Sequence, residues 1–211
     1  MDIITLTVGP FDTNCYLVFD GKSREGIIID PGYDADRITG EIEQHGFKPL
    51  AIVLTHAHGD HIGAVGELTA RYRVPMMAGK GAGESIDSSN RHFAAMFGIE
   101  VSCPEPDRLL GDGDIAAFGG ERLVVMPTPG HSPEGICLHS GKVLFCGDTL
   151  FYGSVGRTDL PGGDHTQLID SITQRLLVLS DDTVCYPGHG PATTIGQERK
   201  HNPFLIGGYF D

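Results

Sequence analysis

The sequence lacks several features that would define other classes of protein. Its 211 residues include no tryptophan, no CxxC pair and no apolar run long enough to cross a bilayer, so a transmembrane protein and a membrane partner are not expected. Met1 leads directly into the strand-like "IITLTV" without a basic and then apolar leader, which predicts a cytoplasmic protein. The odd number of cysteines predicts reduced core thiols at Cys15, Cys103, Cys137, Cys146 and Cys185.

Basic residues are also scarce. There are 15 Lys and Arg against 28 Asp and Glu, a net charge of −13. Two bound divalent ions would add four positive charges and still leave about −9. A chain this acidic repels polyanions, so nucleic acid is not an expected partner, and the dispersed acidic residues favour an interpretation as a solubilising surface.

The length predicts one domain over residues 1–211, because no linker, charge block or low-complexity tract divides the chain. A domain of this size buries enough surface to fold without a metal or disulfide staple. Any bound metal is therefore expected to serve chemistry.

Short apolar runs predict the secondary structure. Near-continuous hydrophobicity indicates central strands at 14–19, 26–30, 50–55, 122–126, 143–146 and 183–186. The turn sequences "FDGKSRE" and "HSGKV" predict hairpins and hence mixed sheets. Helices are predicted over 34–45 with Gly46 as the stop, over 62–72, and over 165–179 with Asp164 or Thr166 as its cap.

Five of these strands end in a polar turn that contains glycine. Because open α/β sheets place ligand sites outside such strand ends, the five turns are candidates for one rim. They carry Asp30, His56, His131, Asp148 and His189.

The stretch "LTHAHGDHIG" holds four potential metal ligands within six positions. In an extended segment His56 and His58 share a face, whereas on a helix two residues this close point to different sides. Gly59 then allows the chain to turn, so that Asp60 and His61 point to a second position. The spacing indicates two neighbouring ions.

Each pair needs further ligands, and the motif "PGH" occurs twice, supplying His131 and His189. Asp148 in "LFCGDT" has two oxygens that could bridge two cations. The predicted ligands are His56, His58 and His131 for one ion, Asp60, His61 and His189 for the other, and Asp148 between them. Imidazole and carboxylate without thiolate suit zinc first, with iron or manganese as alternatives, in a hydrolytic site with positions open to water. The isolated histidines are interpreted as ordinary residues: His45, His92, His139, His165 and His201.

These motifs resemble the metallo-β-lactamase superfamily. "THAHGDH" is similar to its metal signature, "TPGHSPEG" to its second histidine loop, "GDTLF" to its bridging aspartate and "PGHG" to its last histidine, while "FDTNCYLV" and "IIIDPG" fit its opening strands. The resemblance implies an α/β fold, an αββα sandwich of two mixed β-sheets with helices on the outer faces.

Within the superfamily, "GDTLFYGSVGRTDLPGGDHTQLIDSI" and "YPGHGPATTIGQERKHNPFL" resemble the short bacterial hydrolases of the glyoxalase II branch. That implies a dinuclear hydrolase cleaving S-lactoylglutathione or a related small-molecule thioester to a hydroxy acid and a free thiol, as a monomer or small homo-oligomer. The presence of Asp148 weighs against a true β-lactamase. Full-length members of the branch carry a C-terminal helical domain with basic groups for glutathione, whereas here the only Lys or Arg residues after His189 are Arg199 and Lys200.

Catalytic roles are predicted for Asp148 as the bridge and for Asp60, which could also orient the attacking water and accept its proton. Arg157 could hold a substrate carboxylate or simply pair with Asp159. Tyr152 and Tyr33 are weaker rim candidates. Asp30, at a strand end beside Pro31 and Gly32, is interpreted as an acceptor that supports the histidine loop rather than as a ligand.

Three rival functions remain from the sequence. A persulfide dioxygenase of the same superfamily shares "GRTD" but uses one iron held by two histidines and an aspartate. A nuclease is disfavoured by the negative charge and the lack of a basic patch. A structural or storage metal module is disfavoured because such sites are usually closed and rich in thiolate.

Overall fold

Two six-stranded sheets form the centre of the fold, described here from a computed structural model for residues 1–98 and 101–206. The first sheet has the order β1 (Asp2–Val8), β2 (Thr13–Phe19), β3 (Glu25–Ile29), β4 (Lys48–Val53), β5 (Met76–Gly79) and β6 (Arg108–Leu110). The second has the order β14 (Thr193–Thr194), β13 (Val184–Pro187), β10 (Val143–Gly147), β9 (Ile136–Ser140), β8 (Glu121–Pro127) and β7 (Ile115–Phe118). A two-stranded ribbon pairs β11 (Leu150–Phe151) with β12 (Ser154–Val155).

Both sheets are mixed, as the hairpin sequences predicted. Strands β1, β2 and β3 pair antiparallel, and β3 to β6 continue in parallel. In the second sheet β7 to β10 are antiparallel, β10 pairs with β13 in parallel, and β14 closes the edge antiparallel. The parallel pairs bring the carboxyl ends of β3 and β4, and of β10 and β13, to neighbouring positions.

The helices lie in chain order as α1 (Ala35–Gln44), α2 (Gly59–Ile62), α3 (Val65–Tyr72), α4 (Ala82–Phe97), α5 (His165–Ser171) and α6 (Ile195–His201). A π-helical turn, Ile172–Leu176, continues α5. Asp164 caps α5 by accepting a hydrogen bond from the Gln167 amide, so of the two predicted caps the structure uses Asp164. Gly46 follows α1 with φ 57°, a left-handed conformation that ends a helix and favours glycine.

Three layers of core explain why the strand sequences are apolar on both faces. In β3, Ile27 and Ile29 face the second sheet, where Leu138 and Phe145 lie in the same cluster. Ile28 faces the opposite way and packs with the cluster that contains α1 and α3. Leu168 and Ile172 cover the outer face of the second sheet. Each such buried side chain contributes about 1.5–3 kcal/mol, and the arrangement confirms the αββα sandwich.

Two expectations need correction, and one helix was missed. The helix predicted over 62–72 begins at Gly59, because His58 takes an extended conformation immediately before it, and it is interrupted between α2 and α3. Helix α4 was not predicted, since its Ser- and Asn-containing sequence is only moderately helix-favouring. All five cysteines are unpaired, but Cys103 is partly exposed and is therefore not a core thiol.

Within the described residues, no helix has the length and apolar character that spanning a bilayer requires.

Candidate metal centre

The seven predicted ligands converge at one edge of the two sheets. His56 and His58 follow β4, Asp148 follows β10 and His189 follows β13. His131 lies in the loop between β8 and β9. Asp60 and His61 lie in the first turn of α2, which redirects them from the extended segment before it. The ligands span more than 130 positions of the sequence, from His56 to His189, and the parallel strand order brings them together.

The first donor group consists of His56, His58 and His131, whose ligand atoms lie within 4.8 Å of one another. The His131 Nε2 atom lies 2.9 Å from the His58 Nδ1 atom. Nitrogen ligands about 2.0–2.1 Å from one tetrahedral ion stand about 3.3 Å apart, so this spacing is close to that of a bound ion.

The second donor group consists of Asp60, His61 and His189, also within 4.8 Å of one another. The His61 and His189 Nε2 atoms are 3.3 Å apart. The Asp60 Oδ2 atom lies 3.1 Å from the His189 Nε2 atom and 3.7 Å from the His61 Nε2 atom. These three distances also match the edges of one coordination polyhedron.

Asp148 stands between the two donor groups. Its Oδ2 atom lies 3.5 Å from the His131 Nε2 atom and 3.6 Å from the His189 Nε2 atom, and its Oδ1 atom lies 3.5 Å from the His61 Nε2 atom. The carboxylate therefore faces ligands of both groups. Gly188 makes room for it, since a Cβ atom there would lie 2.1 Å from Asp148 Oδ1.

Hydrogen bonds orient four of the histidines toward this centre. Their Nδ1 atoms face acceptors: Thr55 Oγ1 at 3.1 Å for His56, Asp30 Oδ2 at 3.1 Å for His61, the Arg157 carbonyl at 2.8 Å for His131, and the Phe11 carbonyl at 3.0 Å for His189. Carbonyl and carboxylate oxygens can only accept hydrogen bonds. The Thr55 hydroxyl donates its hydrogen to Asp30 Oδ2 at 2.5 Å, so towards His56 it also acts as an acceptor. We therefore assign the proton to Nδ1 in each ring, which leaves the Nε2 lone pair free to bind an ion.

Two buried atoms of the centre have no hydrogen-bond partner, His56 Nε2 and Asp148 Oδ1. Buried polar atoms are rarely left unpaired, and both atoms are of the types that bind divalent ions. The donor set, its spacing and these two orphaned atoms fit a pair of metal ions.

The charges of the centre favour a cation. Burial by itself would lower the pKa of His61, but Asp148, Asp60 and Asp30 outweigh it and raise that pKa to about 10. Burial and the neighbouring imidazoles, His61 foremost, hold the pKa of His56 well below its ordinary value. Burial would raise the pKa of Asp60, yet His61 and His189 lower it. The carboxylates therefore favour a positive charge in the middle of the cluster, which a bound cation would supply.

Asp30, His56 and His61 form a third set of donors within 4.8 Å. We assign it to support rather than to metal binding, because Asp30 already accepts from the His61 Nδ1 atom, while the His56 Nδ1 atom donates to the Thr55 hydroxyl. Asp30 is buried and accepts from the Thr55 amide at 2.7 Å as well as from the Thr55 hydroxyl. Asp30 thus accepts hydrogen bonds from the start of the histidine loop, and its role as a support rather than a ligand stays a prediction.

A cavity of about 790 Å³ lies against the centre. His58, Asp60, His131, Asp148 and His189 contribute to its wall, together with apolar residues that include Phe11, Phe151, Val155 and Leu160. The site therefore combines a polar base with apolar walls, as small-molecule sites usually do.

Of the two predicted substrate contacts, Arg157 lines this cavity and Tyr152 does not. Tyr152 is 58% exposed on the ribbon. The Arg157 guanidinium forms two hydrogen bonds of 2.7 Å to the Asp159 carboxylate, so the ion-pair alternative describes this structure. The basic candidates of the C-terminal region, Arg199 and Lys200, pair with Asp181.

Sequence reasoning missed several residues at the site. Phe11 and Thr13 support His189 and Asp60 from the other end of the chain. Glu134 is buried beside the histidine loop, and Ser85 of the unpredicted helix α4 contacts it. For Glu134 the sequence offered one signal, its carboxylate within "TPGHSPEG", but no sequence pattern shows that this side chain is buried.

The fold and the paired donor groups define an αββα sandwich with candidate ligands for metal ions at one edge, and comparison identifies the family. The model of the metallo-beta-lactamase superfamily matches residues 8–189, and the chain belongs to that superfamily. A relative from Haemophilus influenzae, "Hydroxyacylglutathione hydrolase GloC", is 38% identical, with 97% of this chain and 98% of that protein aligned.

Solved structures agree on the fold. The crystal structure of BLEG-1 B3 metallo-beta-lactamase has a TM-score of 0.91 and 39% identity, covering 98% of this chain and 100% of that one. A di-iron-bound form of TTHA1623 has a TM-score of 0.87 and 39% identity, covering 96% and 100%. ETHE1 from Myxococcus xanthus has a TM-score of 0.82 and 29% identity, covering 96% and 84%.

Proposed function

We propose that the protein is a two-ion thioester hydrolase of the glyoxalase II type, which cleaves S-lactoylglutathione or a related small thioester to a hydroxy acid and a free thiol. The observation that carries the proposal is the position of Asp148, whose two oxygens face ligand atoms of both donor groups at 3.5–3.6 Å. The name of the Haemophilus influenzae relative supports the same reaction class.

The first donor group and the second would each hold one ion, with Asp148 shared. Divalent ions bound in this way lower the pKa of a coordinated water to about 7 and polarise a carbonyl oxygen. Asp60 would orient the attacking water and accept its proton, a role supported by the position of its Oδ2 atom beside His189 at the cavity wall. The leaving thiolate belongs to a group with an ordinary pKa of about 8.5, so it needs little acid assistance.

Zinc is the proposed ion, with iron or manganese as alternatives. The donor set is imidazole and carboxylate, which all three metals accept. Iron gains support from the di-iron form of TTHA1623, which is 39% identical.

The charge of the cavity bears on which thiol is released. Arg157 is the one Lys or Arg among its described lining residues, and it is paired with Asp159. Glutathione carries carboxylates, so thioesters of uncharged thiols belong in the substrate panel beside it. We further propose that the protein is a cytoplasmic monomer or small homo-oligomer without nucleic-acid or membrane partners.

A persulfide dioxygenase is the second candidate, supported by the structural likeness to ETHE1. In that case one iron per chain would be bound. Lactam hydrolysis is also tested, because the protein of a structure named a B3 metallo-beta-lactamase is 39% identical to this chain. The presence of Asp148 weighs against this activity.

The deciding experiment measures metal content per chain together with turnover of S-lactoylglutathione, thioesters of uncharged thiols, a chromogenic cephalosporin and glutathione persulfide. We expect two ions and thioester hydrolysis. One iron per chain with oxygen uptake on the persulfide, or lactam hydrolysis without thioester hydrolysis, would reject the proposal.

Substitution of Asp148 directly tests its proposed position between the two ions. We expect Asp148→Asn to lower kcat/KM at least about 100-fold while the fold is retained, because one shared negative charge is lost. The matched control is Asp112→Asn, which changes an exposed carboxylate paired with Arg175 and should leave turnover unchanged. Undiminished hydrolysis by Asp148→Asn would reject the bridging role.

A further inference from the structure

Glu134 is a buried carboxylate with a specific set of contacts. It is 3% exposed and lies three residues after His131. Its Oε1 atom accepts a hydrogen bond of 3.0 Å from the Ala57 amide, and its Oε2 atom accepts one of 2.7 Å from the Ser85 hydroxyl. The side chain thus joins three separate segments of the chain.

The contact with Ala57 bears directly on the first donor group. Ala57 lies between His56 and His58, so the orientation of its peptide sets how these two side chains share one face. The same carboxylate belongs to the loop that carries His131. Glu134 therefore touches the segments that supply all three ligands of the first group.

The second donor group has different supports. Asp60 accepts from the Thr13 hydroxyl at 3.4 Å, His61 donates to Asp30, and His189 donates to the Phe11 carbonyl. Among the described contacts of Glu134, no hydrogen bond reaches this group. Apart from the shared Asp148, and from Asp30, which also reaches His56 through Thr55, the two groups have separate hydrogen-bond supports.

Glu134 also holds helix α4 against the site. Ser85 lies in the first turn of that helix and lines the cavity with Glu134. The backbone approaches closely here as well, since a Cβ atom at Gly79 would lie 2.0 Å from the Glu134 carbonyl oxygen. The loop is therefore seated between β5 and α4, where the carboxylate has little freedom to move.

We infer that Glu134 is a positioning residue for one metal position only, the one formed by His56, His58 and His131. This inference rests on the proposed two-ion centre. Without the carboxylate, the buried Ala57 amide has no acceptor, the His56–His58 segment is free to rotate, and that position loses its ion while the position of Asp60, His61 and His189 keeps its own.

The test compares Glu134→Ala with Glu134→Gln, because glutamine can still accept from the Ala57 amide and donate to the Ser85 oxygen. Ions per chain are measured after dialysis against a graded series of chelator concentrations. We expect two ions in the wild type and in Glu134→Gln, and one in Glu134→Ala. The remaining ion is located with His189→Ala, which should hold one ion alone and none when combined with Glu134→Ala.

Ser85→Ala is the matched control, since it removes only the contact with α4 and should retain two ions. Circular dichroism and the melting temperature of the metal-free proteins verify folding without reference to activity. Two ions held by Glu134→Ala at wild-type affinity, equal loss of both ions, or an equal loss in Glu134→Gln or Ser85→Ala would each overturn the inference. Fewer than two ions in the wild type would instead reject the proposed two-ion centre.

Discussion

Asp30 controls the protonated nitrogen of two histidines, one in each donor group. It accepts a hydrogen bond from His61 Nδ1 at 3.1 Å and another from the Thr55 hydroxyl at 2.5 Å. The Thr55 oxygen can then accept from His56 Nδ1. In Asp30→Asn the side-chain oxygen can stay on the Thr55 amide while its NH₂ group faces the other two partners. Both imidazoles are then driven to carry their proton on Nε2, where the ion should bind.

The magnitude follows from these contacts. Loss of a group that orients a metal-binding histidine lowers affinity about 10- to 100-fold, or about 1.4–2.7 kcal/mol, and here each ion loses one such histidine. Asparagine also tolerates the left-handed backbone at this position, where φ is 49°. Alanine would instead strand three buried donors at about 1–3 kcal/mol each, about 3–9 kcal/mol in all, against a total stability of about 5–15 kcal/mol.

Competition with a chromogenic chelator measures both dissociation constants in the wild type and in Asp30→Asn. Thr55→Val dissects the result, because it cuts the connection to His56 and leaves His61 paired, so only one ion should weaken. Thr55→Ser keeps the hydroxyl and is the matched control. If Asp30→Asn bound both ions with wild-type affinity, the tautomer argument would be refuted.

Three further changes probe the site and its surroundings. Arg157→Gln should change kcat/KM for S-lactoylglutathione less than about fivefold, since the guanidinium is exposed and paired; a large rise in KM would instead show that it binds substrate. Gly188→Ala should lower kcat/KM at least about 100-fold, because its Cβ atom would lie 2.1 Å from Asp148 Oδ1 and displace the bridge. Kinetics and metal content are measured together, and an unchanged kcat/KM would contradict this prediction. Asp164→Ala should reduce the free energy of unfolding in urea by about 1 kcal/mol, whereas Thr166→Ala should not, and equal effects would contradict the assignment of the cap.

The sequence by itself determined much of the chemistry of this protein. Histidines two apart in an extended segment, followed by Gly59, predicted two donor groups, and polar turns after five strands predicted one rim. These signals are local, because residue type and short spacing fix which face of a strand or which turn a side chain occupies. The same local patterns predicted the central strands and the helix that Gly46 ends.

Only the tertiary structure decided how the ligands are held. The acceptors that orient His131 and His189 are backbone carbonyls of Arg157 and Phe11, and every residue has such a carbonyl, so no sequence pattern marks them. The burial of Glu134 likewise depends on packing between segments far apart in the chain. The sequence also could not decide whether Arg157 pairs with Asp159 or stays free to contact substrate, because both alternatives fit the same sequence. The structure shows the pair.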